Sequence, residues 1–129
     1  MEKALAELVR GRSSGVCEYC HFPEPPFQFE HVIAHQHGGR TIADNLAFAC
    51  LKCNLYKGPN LSGIDPDSGA IVPLFNPRSQ IWRAHFRWDG PWLVGITPTG
   101  RATIEVLDIN SAARITTRER LIMEGWMPA

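Results

Sequence analysis

Residues 30–58, EHVIAHQHGGRTIADNLAFACLKCNLYKG, concentrate side chains that can bind a metal ion or move a proton. His31 has an ordinary pKa near ~6.5, so it can accept a proton from water at neutral pH. Its neighbour Glu30 offers an anionic oxygen ligand, and Asn54 offers a neutral one. Such a pair suits a hard divalent cation such as Mg²⁺ or Mn²⁺. The stretch therefore has the residue types needed for metal-assisted activation of water.

Four cysteines occur as two pairs, Cys17 and Cys20 in CEYC and Cys50 and Cys53 in CLKC. Two C-x2-C pairs have the spacing of a four-thiolate zinc site. A closed site of this kind is structural, because no coordination position remains for water or substrate. Two reactive dithiols or two disulfides are the open alternatives. We predict a structural Zn²⁺ held by all four thiolates.

The order of these motifs, C-x2-C, E-H, G-G, N-L and C-x2-C-N-x2-K, resembles the HNH endonuclease family and its ββα-metal fold over residues 17–58. The later segments LFNPR, HFRW and GRAT are also similar to small stand-alone members of that family. The resemblance implies a DNA endonuclease in which His31 is the general base and Glu30 with Asn54 holds a catalytic Mg²⁺ or Mn²⁺. It implies that Asn45 ties the loop to the strand and orients His31. Asn54 stands where the family often has histidine, and the products are expected to carry 5′-phosphate and 3′-hydroxyl ends.

The charge balance gives no support of its own to nucleic-acid binding. Thirteen basic residues offset thirteen acidic ones, with six of each sign in residues 1–60 and seven of each in residues 61–129. Cations that hold a polyanion must therefore be gathered on one surface. The candidate contacts are His37, Arg40, Lys57, Arg83, His85 and Arg87. An ordinary solvated strand face is the alternative for the last three, and a favourable helix C-terminus is the alternative for Lys57.

The hydrophobic pattern predicts an α+β fold in which a small zinc-stapled unit of two strands and a helix precedes a C-terminal antiparallel β-meander and a terminal helix. The resemblance implies that this unit is a ββα-metal core. We place the core and an N-terminal helix in residues 1–60 and the meander with its helix, packed on the core, in residues 61–129. The predicted core strands are FQFEHVI and NLAFAC, followed by a helix at CNLYKG. The predicted meander strands are IWRAHFRW, PWLVGIT and RATIEVLDI, and Asn110 is expected to cap a helix over SAARITTRERLIMEG.

Adjacent residues on a regular strand point to opposite faces, so Glu30 and His31 cannot both face one phosphate on such a strand. We therefore predict that the first core strand ends at this pair and that the chain twists into the HQHGG loop. His35 is expected to pack against the strand, and His37 lies on the glycine loop.

Composition limits the remaining possibilities. The chain has 129 residues, 44% of them hydrophobic, and no apolar run approaches the roughly 20 residues needed to cross a bilayer. The N-terminal MEKALAELVRGRSSG is not an export signal, so we predict a cytoplasmic protein. No base-reading helix is evident, so sequence specificity would have to come from the C-terminal meander, a homodimer or a protein partner. A non-catalytic zinc module that binds nucleic acid or protein, an RNA nuclease and a redox dithiol protein are the rival interpretations.

Overall fold

The computed structural model of the protein describes residues 1–129. The N-terminal half contains an N-terminal helix, a two-stranded antiparallel sheet and a short helix that follows the second strand directly. These elements are α1 (Lys3–Arg12), β1 (Phe27–His31), β2 (Leu46–Cys50) and α2 (Leu51–Lys57). The strands pair in a register that sets Glu30 against Ala47 and His31 against Leu46. The segment between them contains two single-turn 3₁₀ helices, His35–His37 and Ala43–Asn45.

The second cysteine pair determines where α2 begins. The Cys50 sulfur accepts a hydrogen bond from the Cys53 backbone N–H at 3.4 Å, so this side chain caps the helix N-terminus. A cap of this kind satisfies one of the free N–H groups in the first turn. One turn of chain therefore both forms the metal-binding knuckle and starts the helix that carries Asn54 and Lys57.

The C-terminal half consists of two further hairpins and two helices. The strands are β3 (Ser62–Ile64) with β4 (Ile71–Pro73), and β5 (Phe86–Asp89) with β6 (Trp92–Gly95). The helices are α3 (Pro98–Val106) and α4 (Ala112–Met123). No helix has both the length and the apolar character required to span a membrane.

One buried cluster of 15 residues joins the two halves around the cysteines. Tyr19 contributes a fully buried ring from the first knuckle, and Phe75 from the C-terminal half packs edge-on against it, with Phe86 packed against Phe75. Burying one such aromatic side chain stabilises a fold by roughly 1.5–3 kcal/mol. A second, smaller cluster of Val9, Leu46 and Phe48 fixes α1 against the outer face of β2. The thiolate cluster is therefore enclosed by apolar residues from both halves of the chain.

The predicted fold class is confirmed, since the molecule combines four helices with small antiparallel strand pairs. The predicted strand RATIEVLDI is wrong, because most of it forms α3. Thr97 caps this helix by accepting from Gly100 N–H at 3.0 Å, and Pro98 occupies the first turn. These start signals outweigh the strand preference of the β-branched residues that follow.

Two further predictions in this half are wrong in part. The segment IWRAHFRW is not one strand, because Trp82–Ala84 form a 3₁₀ turn and β5 begins at Phe86. The Trp82 indole N–H donates to the Tyr19 carbonyl at 2.8 Å, and this contact turns the chain inward where regular alternation would have continued. Asn110 does not cap α4, since Ser111 does, and the Asn110 side chain instead bonds both backbone groups of Leu93.

Candidate functional site

The four cysteines lie together in the interior. All four sulfurs are within 4.8 Å of one another, and all four residues are buried. The Cys20 and Cys50 sulfurs are 3.7 Å apart. A disulfide would bring them to about 2.05 Å, whereas two ligands of one tetrahedral zinc at about 2.3 Å each lie roughly 3.8 Å apart. The four sulfurs and their spacing fit a structural zinc ion. Four thiolates fill its tetrahedral coordination shell and leave no position for water or substrate.

Arg114 approaches this cluster from α4. One of its terminal nitrogens donates to the Cys53 sulfur at 3.2 Å and lies 3.9 Å from the Cys50 sulfur. The other terminal nitrogen donates to the Leu107 carbonyl at 2.8 Å. A four-thiolate zinc site carries excess negative charge, which a guanidinium at this distance offsets.

His31 is the last residue of β1 and is half-buried. Its Nε2 shares a hydrogen bond with the Thr41 hydroxyl at 2.9 Å. When Thr41 accepts this bond, the proton sits on Nε2 and the lone pair is left on Nδ1. The His35 ring lies 4.3 Å from the His31 ring, and the His35 Nδ1 donates to the Gly39 carbonyl at 3.0 Å. Burial and, second, the neighbouring His35 lower the pKa of His31 below its ordinary value.

Asn45 holds the loop that surrounds His31. Its amide oxygen accepts from Ile33 N–H, and its amide nitrogen donates to the carbonyls of Ile33 and Arg40, each at 2.9 Å. Gly39 lies inside this closure. A Cβ at that position would fall 1.6 Å from the Ile33 carbonyl oxygen and 2.9 Å from the Asn45 amide nitrogen. The GG and NL motifs therefore form one closed loop whose two ends meet next to His31.

Glu30 points away from His31, into the space between β1 and α2. It is 4% exposed, and its Oε1 lies 2.6 Å from the Lys57 ammonium. Its Oε2 accepts a hydrogen bond from the Tyr19 hydroxyl at 2.9 Å. Burial raises the pKa of Glu30, while the positive charge of Lys57 and the hydrogen bond from Tyr19 act in the opposite direction. The carboxylate is thus already paired with a cation.

Asn54 and Lys57 are three residues apart on α2, so they share a face of the helix. The Asn54 side chain is half-buried and makes no hydrogen bond within the chain, whereas Lys57 is 2% exposed and donates to the Val32 carbonyl at 2.9 Å. The oxygens of Glu30, Asn54 and Val32 are of the chemical type that binds a hard divalent ion. The Lys57 ammonium takes the place of such a cation against two of them, Glu30 Oε1 and the Val32 carbonyl. A metal ion at Glu30 would have to displace that ammonium.

The predicted nucleic-acid contacts are placed differently from one another. His37, Arg40, Arg83 and Arg87 are exposed, and none of the three arginines forms an ion pair. His85 is half-buried, with its Nδ1 hydrogen-bonded to the Thr97 hydroxyl at 2.6 Å. Lys57, bound to Glu30, has no exposed ammonium to offer a phosphate.

Three residues of the site were not identified from the sequence: Tyr19 beneath Glu30, Thr41 behind His31 and Arg114 on the cysteine cluster. Arg114 is 61 residues from Cys53, and no local pattern connects them. Tyr19 stands between two zinc-ligand candidates, and the segment GGRT carries Thr41. Both residues are polar groups near the predicted site, but the sequence does not show that Tyr19 binds Glu30 or that Thr41 binds His31. These contacts depend on how the β1–β2 hairpin folds.

Comparison with known proteins gives one family and a set of partial relatives. Residues 17–60 match the family model of HNH endonuclease. The chain is 32% identical over 107 residues to ribitol-5-phosphate transferase FKTN of Mus musculus, an alignment that covers 65% of this chain and 23% of that protein. It is 32% identical over 104 residues to the same transferase of Macaca fascicularis and of Homo sapiens, covering 63% of this chain and 22% of each. The chain thus spans less than a quarter of the length of these curated relatives. No solved structure matches it.

The family match begins at Cys17 and contains the four clustered cysteines, the β1–β2 hairpin and all of α2. The order of elements in the matched segment, two strands followed by a helix, is that of the ββα-metal fold which the sequence resembles. The chain therefore carries an HNH endonuclease domain at residues 17–60, built around a four-cysteine cluster suited to zinc.

Proposed function

We propose that this protein is a metal-dependent endonuclease that hydrolyses phosphodiester bonds of DNA, with His31 as the general base. The observation that supports it most directly is the anchored His31 ring. Thr41 binds its Nε2, which leaves Nδ1 to accept a proton from water. Because the pKa of His31 is lowered by burial and by His35, the ring is neutral and able to act as a base at pH 7.

In this proposal Asn45 acts through the loop and does not contact the substrate. Its three hydrogen bonds hold Ile33, two residues after His31, and Arg40, which directly precedes Thr41. Holding a base within a fraction of an ångström of its working position is worth several orders of magnitude in rate. Asn45 is thus a positioning residue for the imidazole.

The catalytic Mg²⁺ or Mn²⁺ is assigned to Glu30 and Asn54. When bound, such an ion would supply positive charge to the phosphate and the departing oxygen. Glu30 Oε1 is a buried carboxylate oxygen that makes no hydrogen bond of acceptable angle, although the Lys57 ammonium lies 2.6 Å from it. The Asn54 amide is free of partners on the same face of α2 as Lys57. The oxygen ligands therefore fit a divalent ion once the Lys57 ammonium has moved away from Glu30.

Duplex DNA is the proposed substrate, bound mainly through its phosphates by exposed cations such as Arg40, Arg83 and Arg87. Cleavage to 5′-phosphate and 3′-hydroxyl ends is proposed from the family. A non-catalytic zinc module remains the alternative. The name of the transferase relatives suggests no second function here, because under a quarter of each of those proteins is aligned.

Plasmid nicking by zinc-loaded protein with Mg²⁺ tests the proposal. We expect His31→Ala to reduce the nicking rate by about 10²-fold or more, the usual contribution of a general base. Gln36→Ala is the matched control, because Gln36 is exposed on the same loop and makes no side-chain hydrogen bond. Equal rates for the parent protein and His31→Ala would leave the non-catalytic module as the better interpretation. Parallel digestion of duplex DNA, single-stranded DNA and RNA separates a DNA nuclease from an RNA nuclease.

A further inference from the structure

The Lys57 ammonium is buried among oxygen atoms at the centre of the proposed metal site. It lies 2.6 Å from Glu30 Oε1 and donates to the Val32 carbonyl at 2.9 Å. Lys57 is 2% exposed and Glu30 4%, so water screens neither charge. Removing one partner of such a buried ion pair leaves an uncompensated charge, which is strongly unfavourable. Glu30 therefore requires a cation in the folded protein, and Lys57 supplies it.

The contact between Glu30 and Lys57 is an ion pair with poor hydrogen-bond direction. Oε1 has no hydrogen-bond partner, although a donor stands within 2.6 Å of it. A divalent ion does not depend on the direction of an N–H bond and carries twice the charge of the ammonium. The ion could also take the Asn54 amide oxygen, which Lys57 leaves unbound. The oxygen set is therefore open to exchange of one cation for another.

A displaced lysine side chain would have space to move. A cleft of about 290 Å³ is lined by Lys57 itself, together with Val32, Ile33 and residues 60–80. Its polar lining residues are Asn60, Asn76, Ser79 and Gln80. Their amide and hydroxyl oxygens are acceptors for an ammonium group. The flexible four-carbon stem of lysine allows such a change without movement of the helix.

We propose that Lys57 is a built-in competitor of the catalytic metal, so that a divalent ion binds Glu30 by expelling the Lys57 ammonium into the adjacent cleft. This inference rests on the proposed function, because it concerns the same metal site. Two cations that compete for one carboxylate bind in a mutually exclusive way. Lys57 weakens metal binding and keeps Glu30 neutralised when no metal is bound.

The unaltered protein provides the first test. Zinc-loaded protein is treated with trace acetic anhydride at fixed pH, with and without Mn²⁺, and acetylation of each lysine is measured by mass spectrometry. We expect Mn²⁺ to raise acetylation of Lys57 at least fivefold, because expulsion from Glu30 frees its amine. Lys52 is the internal control, since it is exposed on the same helix and makes no ion pair. Unchanged Lys57 labelling at Mn²⁺ concentrations that saturate binding by electron paramagnetic resonance, or no Mn²⁺ binding at all, would overturn the proposal.

Variants provide the second test. Lys57→Met should bind Mn²⁺ about tenfold more tightly than the parent, within the usual range of coupling between competing ligands. Lys52→Met should bind as the parent does. The double variant Glu30→Gln with Lys57→Met removes both buried charges together and should show no Mn²⁺ binding at this site. Equal Mn²⁺ affinity for Lys57→Met and the parent would count against competition. If Lys57→Met does not fold, the labelling of the unaltered protein decides the question.

The two proposals fail in distinguishable ways. Metal-dependent release of Lys57 without any DNA cleavage would remove the nuclease function and leave the exchange of cations in place. Mg²⁺-dependent cleavage with Lys57 still bound to Glu30 would remove only the exchange.

Discussion

The Arg114 guanidinium donates a hydrogen bond to the Cys53 sulfur at 3.2 Å, which ties the last helix of the chain to the four-cysteine cluster. Its second terminal nitrogen holds the Leu107 carbonyl, just past the end of α3. One side chain thus links the knuckle to both C-terminal helices. A hydrogen bond to a thiolate lowers the electron density that the sulfur can offer to an attacking acid or oxidant.

Replacing Arg114 is therefore expected to loosen the zinc ion. For Arg114→Met we predict zinc release that is faster by about tenfold, in line with the usual effect of a residue that supports a metal ligand. The rate is measured with a chromogenic chelator in excess. Arg120→Met is the control, because Arg120 lies on the same helix but pairs with Glu24 and Glu124 at the surface. Equal release rates from the two variants would show that the contact has no effect on zinc retention.

Removal of the zinc ion should unfold the domain. All four cysteines belong to the main buried cluster, so an ion bound to them would cross-link the residues of that core. Without the ion, four buried cysteines lose their common partner and the cross-link between the two knuckles is lost. We expect a strong chelator, and separately Cys53→Ser, to abolish cooperative thermal unfolding measured by circular dichroism. A chelated protein that keeps its unfolding midpoint would contradict a folding role for the metal.

Asn45→Ala should reduce both stability and activity. The variant loses three hydrogen bonds and leaves backbone groups of Ile33 and Arg40 without their partner. We predict a loss of roughly 1–3 kcal/mol in the free energy of unfolding, the usual effect of unsatisfied buried polar groups. Chemical denaturation measures it, and nicking at a temperature where the variant is folded measures the rate. Asp44→Asn is the control on the same 3₁₀ turn, since Asp44 is exposed. Full activity in folded Asn45→Ala would remove its positioning role.

The pH dependence of cleavage should reflect the lowered pKa of His31. A general base works in its neutral form, so activity should persist to a pH below the ordinary histidine value of about 6.5. Since His35 contributes to the lowering, His35→Asn should move the acidic limb of kcat/KM to higher pH. Burial is the larger cause of the lowered pKa and is unchanged in this variant. The acidic limb of kcat/KM should therefore stay below the ordinary histidine pKa. An acidic limb that is the same in both proteins would mean that another group controls it.

The same shift has a consequence for stability. A histidine whose pKa is lower in the folded than in the unfolded state binds its proton more readily after unfolding. His31 should therefore make the fold less stable as the pH falls below about 6.5, and have no such effect at higher pH. Denaturation of His31→Gln across this pH range should show a weaker pH dependence than the parent.

Local patterns were sufficient to predict the core. The C-x2-C spacing predicted a cysteine cluster, and aromatic and β-branched residues predicted the strand β1 that pairs with β2. The first strand ends at His31 as predicted, but Glu30 and His31 still pair in regular register with Ala47 and Leu46 and point to opposite sides, so the predicted twist that would bring both to one phosphate is not seen. These features depend on residues near one another in sequence, where spacing and backbone preference carry the information.

The remaining features depend on contacts between distant segments. The segment RATIEVLDI has the composition of a strand, but its capping residues and its packing beside β6 make most of it a helix. The pairing of Glu30 with Lys57 connects residues that were assigned separate roles, one as a metal ligand and one as a phosphate contact. Neither secondary-structure preference nor residue spacing shows that Glu30 and Lys57 form an ion pair, because their contact depends on how β1 packs against α2.

The shared interior also limits how the HNH segment, residues 17–60, can be moved into another protein. Phe75, Phe86, Leu93 and Leu107 cover a cluster that begins with Cys17 and Tyr19. A graft that ended at residue 60 would leave that side of the knuckles in water, and Arg114 would be missing from the sulfurs. A functional graft must therefore include the C-terminal residues that cover the cysteine cluster. Two fragments divided near residue 60, in contrast, have complementary surfaces and could reassemble as a split protein.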